Sequence, residues 1–284
     1  MSNWYSDIRN VGDALGLAAS ATQDHDQLRL TLETDSRLID EWIGDHVFPQ
    51  ETTRYFTAVE SMQLRLDRPL LSITALRTDS SGNASYGTTM TTAQYHLTPY
   101  NALTESPPQP YWGIELRTTS TGVFPAHVKR GVEIAGRWGR YDQRDTSTAV
   151  LSTDANATTP TLEVTGASSL YPGQTIRIGS EDMFVVRSPV TATAAHTSQV
   201  TVQRAVNGTT ASTHSSATGM GVYTYPIVDR ACLFQVQHDF KFSKADPAQG
   251  GGGWGEQGRS LVTEADLHPA VRRMLRGFRM PVVA

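Results

Sequence analysis

The sequence is poor in cysteine and has no long apolar run, and both shortages narrow the class of protein. Cys232 is the single cysteine, so the chain forms no internal disulfide and offers no cysteine cluster for a metal. We expect it to be a small, buried apolar side chain. The apolar stretches are shorter than the roughly 20 residues that span a bilayer, and residues 1–10 lack the pattern of a secretory signal. We therefore expect a soluble protein with no membrane contact.

Sequence motifs for catalysis and for cofactor binding are also missing. The eight histidines are scattered, and no two of them have the spacing of a metal site on a helix or ribbon. Residues 250–255 satisfy the G-x-G-x-x-G pattern only because their segment is rich in glycine, without the strand and helix that a dinucleotide site needs. The acidic pair Glu181–Asp182 lies at a predicted turn, where it is expected to cap the turn or face solvent. The sequence therefore predicts no enzyme, no metal and no cofactor.

The charge is small in sum but unevenly distributed along the chain. A formal net charge of -4 argues against wrapping nucleic acid as the main task. Residues 1–60 contain 11 acidic and 4 basic side chains, whereas residues 268–284 contain four arginines and no acid. The two ends of the chain therefore favour different partners.

Two helices are predicted near the N-terminus. Apolar residues at helical spacing predict a short helix within Tyr5–Leu17. A second and longer helix is predicted over Asp24–Asp45, where Asp24 can cap the start and Gly44 can end it. Its apolar residues fall on one stripe, namely Leu28, Leu32, Leu38, Ile39, Trp42 and Ile43.

Asp35 interrupts that apolar stripe, because the helical period places it between Leu32 and Ile39. A carboxylate in this position must reach water or find a cation. One interpretation is a shallow, wet gap beside the small residue Ser36. The other is an ion pair with an arginine from a neighbouring subunit.

The rest of the chain is mostly β-prone. From Val47 onward, short strand-like runs alternate with turn-rich pieces, which predicts an antiparallel sheet or sandwich packed on the helices. Strands that follow helices rather than alternating with them favour an α+β fold. Residues 146–225 are rich in threonine, poor in charge and punctuated by Pro172-Gly173 and Asn207-Gly208, so they predict a small all-β domain, a barrel or sandwich of about five strands.

The predicted β domain is an insertion, because a helical pattern resumes after it at Asp229–Phe242. The predicted organisation is therefore a core formed by residues 1–145 and 226–284, with helical N- and C-terminal segments, and an inserted β domain at residues 146–225. A glycine-rich stretch at residues 248–258 predicts a flexible loop.

A terminal helix is predicted to begin near Pro269 and to end at Gly277. Its two faces differ in character. One face is apolar and the other is basic, and a basic amphipathic helix at a chain end is suited to docking on a partner. The apolar residues are Val271, Met274, Leu275 and Phe278, and the basic ones are Arg272, Arg273, Arg276 and Arg279.

The order of these pieces resembles the head-to-tail connector, or adaptor, family of tailed double-stranded DNA bacteriophages. The resemblance rests on DIRNVGDALGLA, LRLTLETDSRLIDEWIGDHVFP, RPLLSITALR, YHLTPYNA, GVEIAGRWGRYD and PIVDRACLFQVQHDFKFSK. The segments SSLYPGQTIRIGSEDMFVV and VQRAVNGTTASTHS are similar to a small β module of longer members. The resemblance implies a structural virion protein that forms a ring, usually of twelve subunits, beneath the portal at the head-to-tail interface.

The resemblance also implies partners and a location. The partners are the portal protein, a tail-side connector or tail terminator protein, further copies of the chain in the ring, and double-stranded DNA that passes without specific binding. The protein would be found in the host cytoplasm during assembly. By the resemblance, the terminal segment contacts the portal, which makes candidate docking residues of Arg272, Arg273, Arg276, Phe278 and Arg279.

Two alternatives stay open for these residues. The terminal helix can instead pack back on its own domain, and the glycine stretch, longer than expected for the family, can carry it to another surface. A channel that passes DNA is better lined with acids than with bases, because arginines would bind the phosphates of the DNA. Acids of the first helices are therefore candidates for channel-facing or inter-subunit positions, although an acidic helix face is more often simply solvated. These candidate acids are Glu33, Asp35, Asp40, Glu41 and Asp45.

Two other functions are carried as alternatives. The threonine-rich region could be a β-rich binding module of a phage tail or baseplate, in which aromatic residues bind a glycan or a host surface. The residues that this function would use are Tyr171, Phe184, Tyr223 and Tyr225. The third alternative is a hydrolase that uses dispersed carboxylates.

Overall fold

The computed structural model describes residues 3–17, 25–106, 108–188, 197–244 and 267–279. Helices and antiparallel strands are both present, so the fold is mixed helix and sheet, which is consistent with the α+β class. Among these residues, two helices come first, α1 (Ile8–Leu15) and α2 (His25–Ile43), and two come last, α3 (Pro226–Lys244) and α4 (Pro269–Met274). Within the described residues no helix is both long and apolar enough to cross a membrane.

Residue contacts divide the chain into two units. The helix–barrel unit comprises Met1–Asp45, Gln143–Val206 and Thr210–Val282, and the sheet unit comprises His46–Asp142 with Asn207–Thr209. The predicted division differed, since it joined the helices to the sheet and set residues 146–225 apart.

Hydrogen bonds explain why the N-terminal helices group with the barrel. The amide of Ile8 donates to the carbonyl of Pro172 over 3.1 Å, and the side chain of Gln174 donates to Asp7 over 3.0 Å. Arg29 of α2 also donates to the carbonyl of Val186. Three separate bonds therefore connect α1, its cap and α2 to the barrel.

The sheet unit contains the first six strands, all paired antiparallel in the order β1-β6-β2-β5-β4, with β3 beside β2. The long strand β2 pairs with β5 along its first half and with β6 along its second. Its core is apolar and includes Leu70, Leu76, Ile134 and Trp138. The strands are β1 (Gln50–Phe56), β2 (Gln63–Thr78), β3 (Thr88–Met90), β4 (Tyr95–Thr98), β5 (Tyr111–Leu116) and β6 (Val132–Trp138).

The remaining six strands form a closed barrel in the order β10-β11-β8-β7-β12-β9. A small β-barrel was among the predictions for this region, although the structure has six strands rather than about five. Apolar side chains from the strands fill the interior, with Leu162, Ile176, Met183 and Val200 fully buried. The strands are β7 (Arg144–Leu151), β8 (Thr161–Thr165), β9 (Thr175–Ile178), β10 (Glu181–Arg187), β11 (Thr197–Val206) and β12 (Gly219–Tyr223).

The helices begin and end largely where the sequence predicts. Asp7 caps α1 by accepting a hydrogen bond from the amide of Asn10. The helix α2 ends at Ile43, and the next residue is Gly44, whose positive φ of 80° suits glycine. The predicted cap of α2, Asp24, lies outside the described residues, as does the glycine stretch at residues 248–258. The helix α2 packs against α3, and Cys232 is fully buried as predicted.

Candidate functional site

The terminal segment, residues 267–279, carries the candidate docking arginines. Val271 and Leu275 are fully buried, and α4 packs against α3. A 3-10 turn over Arg276–Phe278 follows α4, so the helix ends at Met274, slightly before the predicted Gly277. The apolar half of the predicted amphipathic pattern is thus confirmed for its two central residues, and it anchors the segment.

Three of the four arginines that form the basic half of the pattern are exposed. Arg273, Arg276 and Arg279 are exposed, whereas Arg272 and Phe278 are half-buried. The guanidinium of Arg279 lies over the ring of Trp42 in α2, with 5.3 Å between its carbon and the ring centroid. The segment therefore packs back on its own unit, as one alternative predicted, and three of its arginines stay exposed at the surface.

Two of the candidate acids accept hydrogen bonds from the N-terminal segment. Glu33 accepts a hydrogen bond from the indole of Trp4, and Asp40 accepts one from the phenol of Tyr5. Arg37 also pairs with Asp40 over 3.1 Å. Burial raises the pKa of Asp40 to about 6, although Arg37 and Tyr5 oppose this rise.

The other candidate acids differ in exposure. Glu41 is exposed and Asp45 is half-buried, so both stay candidates for a surface role. Asp35 is only 1 % exposed, and both interpretations of it need correction. There is no wet gap beside Ser36, which is itself fully buried, and an arginine from another subunit cannot reach a carboxyl enclosed between α2 and α3.

A buried ionic cluster in the barrel was missed by the sequence analysis. Glu181, expected at a solvated turn, is fully buried at the start of β10, and so is Asp182. Arg204 binds Glu181 through two nitrogens, each 2.7 Å from a carboxylate oxygen, and His214 Nε2 lies 2.9 Å from the same group. The amides of Ala205 and Ser212 donate to it as well.

The hydrogen bonds of this cluster decide the ionisation of Glu181. Burial alone would raise its pKa, but the bonds from Arg204, Ser212, His214 and Ala205 outweigh burial and lower the pKa to about 2. Every hydrogen-bonding position of the carboxylate is directed at the protein itself. The cluster therefore stabilises the barrel, and no sequence motif marks it because its members lie far apart along the chain.

The aromatic residues proposed for glycan binding are mostly inaccessible. Phe184, Tyr223 and Tyr225 are each at most 5 % exposed, so that assignment was wrong for them. Tyr171 is half-buried, with the guanidinium of Arg9 at 5.9 Å from its ring centroid. Among the described residues, no group of three or more histidine, cysteine, aspartate and glutamate side chains is arranged to hold a metal ion.

Comparisons with known proteins provide no further assignment. No protein-family model matches the chain, and neither the curated proteins nor the solved structures contain a match. Functional inference for this chain therefore rests on its residues and their geometry.

Proposed function

We propose that this protein is a structural adaptor of a tailed-phage virion. It forms a ring, of twelve subunits by the family resemblance, beneath the portal, joins the capsid to the tail or to the next connector, and lets DNA pass. The observation that carries the proposal is the terminal segment, residues 267–279, which holds three exposed arginines and is anchored by the buried side chains of Val271 and Leu275. The resemblance of the sequence to connector proteins supports the same role.

The anchoring of the segment makes its arginines suitable for an interface. Arginine presents a planar fork of donors that matches a carboxylate in two hydrogen bonds. Because Val271 and Leu275 are buried, binding would order little of the backbone, so less of the interaction energy is lost to conformational entropy. The matching partner surface is one rich in carboxylates, and the portal is proposed to supply it.

Ring closure requires two unlike, complementary surfaces on each subunit. Exposed acids of α2, represented by Glu41, provide a negative surface, and the terminal arginines provide a positive one. Acids on the inner side of a ring would also let DNA slide, since they do not hold phosphates.

The experiment compares two variants of equal charge. One replaces Arg273, Arg276 and Arg279 by alanine, and the control replaces three exposed basic residues of the sheet unit, namely Arg65, Arg117 and Lys129. Both are titrated with the portal protein of the same phage in a salt series. The proposal requires the first variant to bind at least tenfold more weakly and with a shallower salt dependence, while the control binds like the parent. Equal binding of all three proteins would refute the role of the segment, and retention on a glycan column without portal binding would favour the binding module.

A further inference from the structure

A buried carboxyl group, that of Asp35, lies on α2, the helix that packs against α3. Asp35 lies in the middle of α2 with 1 % of its surface exposed, and its Oδ2 has no hydrogen-bond partner among the described residues. Asp239 of α3 is the charged group that acts on it, and about a third of the Asp239 side chain is exposed. A buried carboxyl without a cationic partner, next to a second carboxyl that water can reach, is a candidate for proton binding.

A chain of hydrogen bonds runs from this pair to the start of α4. The side-chain Nε2 of Gln235 donates to Asp239 over 2.9 Å, and the side-chain Oε1 of Gln235 accepts from the backbone amide of His268 over 2.9 Å. His268 caps α4, since its Nδ1 accepts from the amide of Ala270 over 3.2 Å. A movement of Asp239 would therefore be transmitted through Gln235 to the cap of α4, at the start of the terminal segment (residues 267–279).

Two imidazoles lie in the same network. His238 Nδ1 is 2.8 Å from Asp239 Oδ1, and the rings of His238 and His268 are 5.0 Å apart. The ring of Phe234 also packs on His268, with centroids 5.1 Å apart. The aromatic and imidazole rings next to Asp239 therefore come from α3 and from the cap of α4.

The other ionisable groups near Asp35 do not neutralise it. Burial is the largest cause that raises the pKa of Asp35, to about 8, and the neighbouring carboxyl group of Asp239 acts in the same direction. On α3, the fully buried thiol of Cys232 interacts with Asp35, with Asp229 and with Arg37 of α2. On the α1 side, Asp7 acts on Asp229.

We propose that Asp35 and Asp239 form a proton-binding pair that controls how firmly α4 is held on α3. When the pair holds one proton, this proton neutralises Asp35, and the contacts of Gln235 and His238 with Asp239 are kept. When the proton leaves to solvent, two adjacent carboxylates repel each other inside the helix interface. Asp239 then moves outward, the bonds through Gln235 loosen, and the cap of α4 opens. This device does not depend on the proposed function, because it acts in the isolated protein.

The test measures the proton and the helix separately. Carboxyl carbon chemical shifts of the full chain, followed by NMR from pH 5 to pH 10, report the titration of Asp35. Amide hydrogen exchange of Ala270–Leu275, corrected for the intrinsic pH dependence, reports the opening of α4. The expected result is a midpoint for Asp35 well above pH 6 and an opening of α4 that becomes about tenfold more frequent across that midpoint. A titration midpoint of Asp35 below pH 5, or an exchange rate of α4 that does not change with pH after the correction, would overturn the proposal.

Variants separate the pair from the neighbouring histidines. Asp35→Asn and Asp239→Asn each remove one carboxylate and leave His238 and His268 in place, so in both proteins the exchange of α4 should lose its pH dependence. If Asp35→Asn does not fold, Asp239→Asn still tests the pair, because Asp239 is half-exposed and its replacement disturbs the core less. Glu41→Gln removes an exposed acid of the same helix and should keep the parental profile. A pH dependence that survives in both asparagine variants would assign the effect to the histidines and contradict the proposal.

Discussion

Arg204 binds Glu181 through Nε and Nη2, with each nitrogen 2.7 Å from a different carboxylate oxygen. Arg204 also donates to the carbonyls of Asn156, Thr159 and Ser212, so it connects several loops of the barrel. Glu181 is fully buried and the Arg204 side chain is 8 % exposed, which means that water cannot replace either partner. The pair therefore fixes one end of the barrel.

Arg204→Ala is expected to lower the free energy of unfolding by roughly 3–5 kcal/mol, because it leaves the Glu181 carboxylate buried without its cation. Urea unfolding followed by circular dichroism gives this number. The matched control is Arg187→Ala, an exposed arginine on the neighbouring strand β10, which should change stability by less than about 0.5 kcal/mol. Similar losses in the two variants would show that the buried pair is not special.

The same cluster predicts how barrel stability depends on acid. The folded-state pKa of Glu181 is lowered to about 2 from 4.5, so its contribution is fully present above pH 4.5 and is lost as the pH falls towards 2. The contribution amounts to roughly 3 kcal/mol. Stability curves of the parent and Glu181→Gln should therefore converge between pH 5 and pH 2. Glu60→Gln, at an exposed site, serves as the control, and parallel curves for Glu181→Gln would refute the assignment.

The contribution of Asp35 to stability depends on pH in the opposite direction to that of Glu181. The folded-state pKa of Asp35 is raised to about 8 from 3.8, so the unfolded chain ionises first and stability is lost progressively as the pH rises from 4 to 8. Asp35→Asn removes this loss and keeps a donor that can bind Asp239. Thermal unfolding should therefore show the variant equal to the parent near pH 4 and more stable by as much as about 5 kcal/mol at pH 8. A variant that is less stable than the parent at pH 8 would contradict a protonated Asp35.

A glycine in the sheet unit provides a test of packing. A Cβ atom at Gly136 in β6 would lie 2.4 Å from the carbonyl oxygen of Ser72 in β2, so Gly136→Ala must push two paired strands apart. The expected cost is about 1–3 kcal/mol in urea unfolding. Gly12→Ala in α1 is the control, since nothing lies within 4 Å of its added Cβ, and it should stabilise the protein by about 0.5–1 kcal/mol. A neutral Gly136→Ala would mean that the two strands are not held at this distance.

The sequence predicted best what depends on local periodicity. The stripe from Leu28 to Ile43 located α2, and the residues Val271 and Leu275 located the buried face of α4. The helical period also placed Asp35 correctly within the apolar stripe. It did not reveal that the carboxyl is enclosed, because Asp239 and the rest of the enclosing helix come from the far end of the chain.

The barrel shows the same limit. Threonine-rich composition and strong turn signals predicted a small β domain here, but Glu181 looks like a turn acid until the fold brings Arg204 and His214 to it. Phe184 was assigned to a surface for a similar reason, since Trp4 packs on its ring with centroids 5.3 Å apart and covers it from the N-terminal segment. Contacts between distant segments therefore decided what the sequence patterns could not.

The proposed function of this chain is assembly into a ring against a portal. Electron microscopy of the protein mixed with its proposed partner, the portal protein, and imaged beside each protein alone, tests this proposal in one experiment. The expected images show a closed ring of this chain stacked on the portal around an open axial channel, formed only in the mixture or strongly promoted by it. Bare portal rings in every image, beside a protein that remains a single molecule, would refute the proposed assembly.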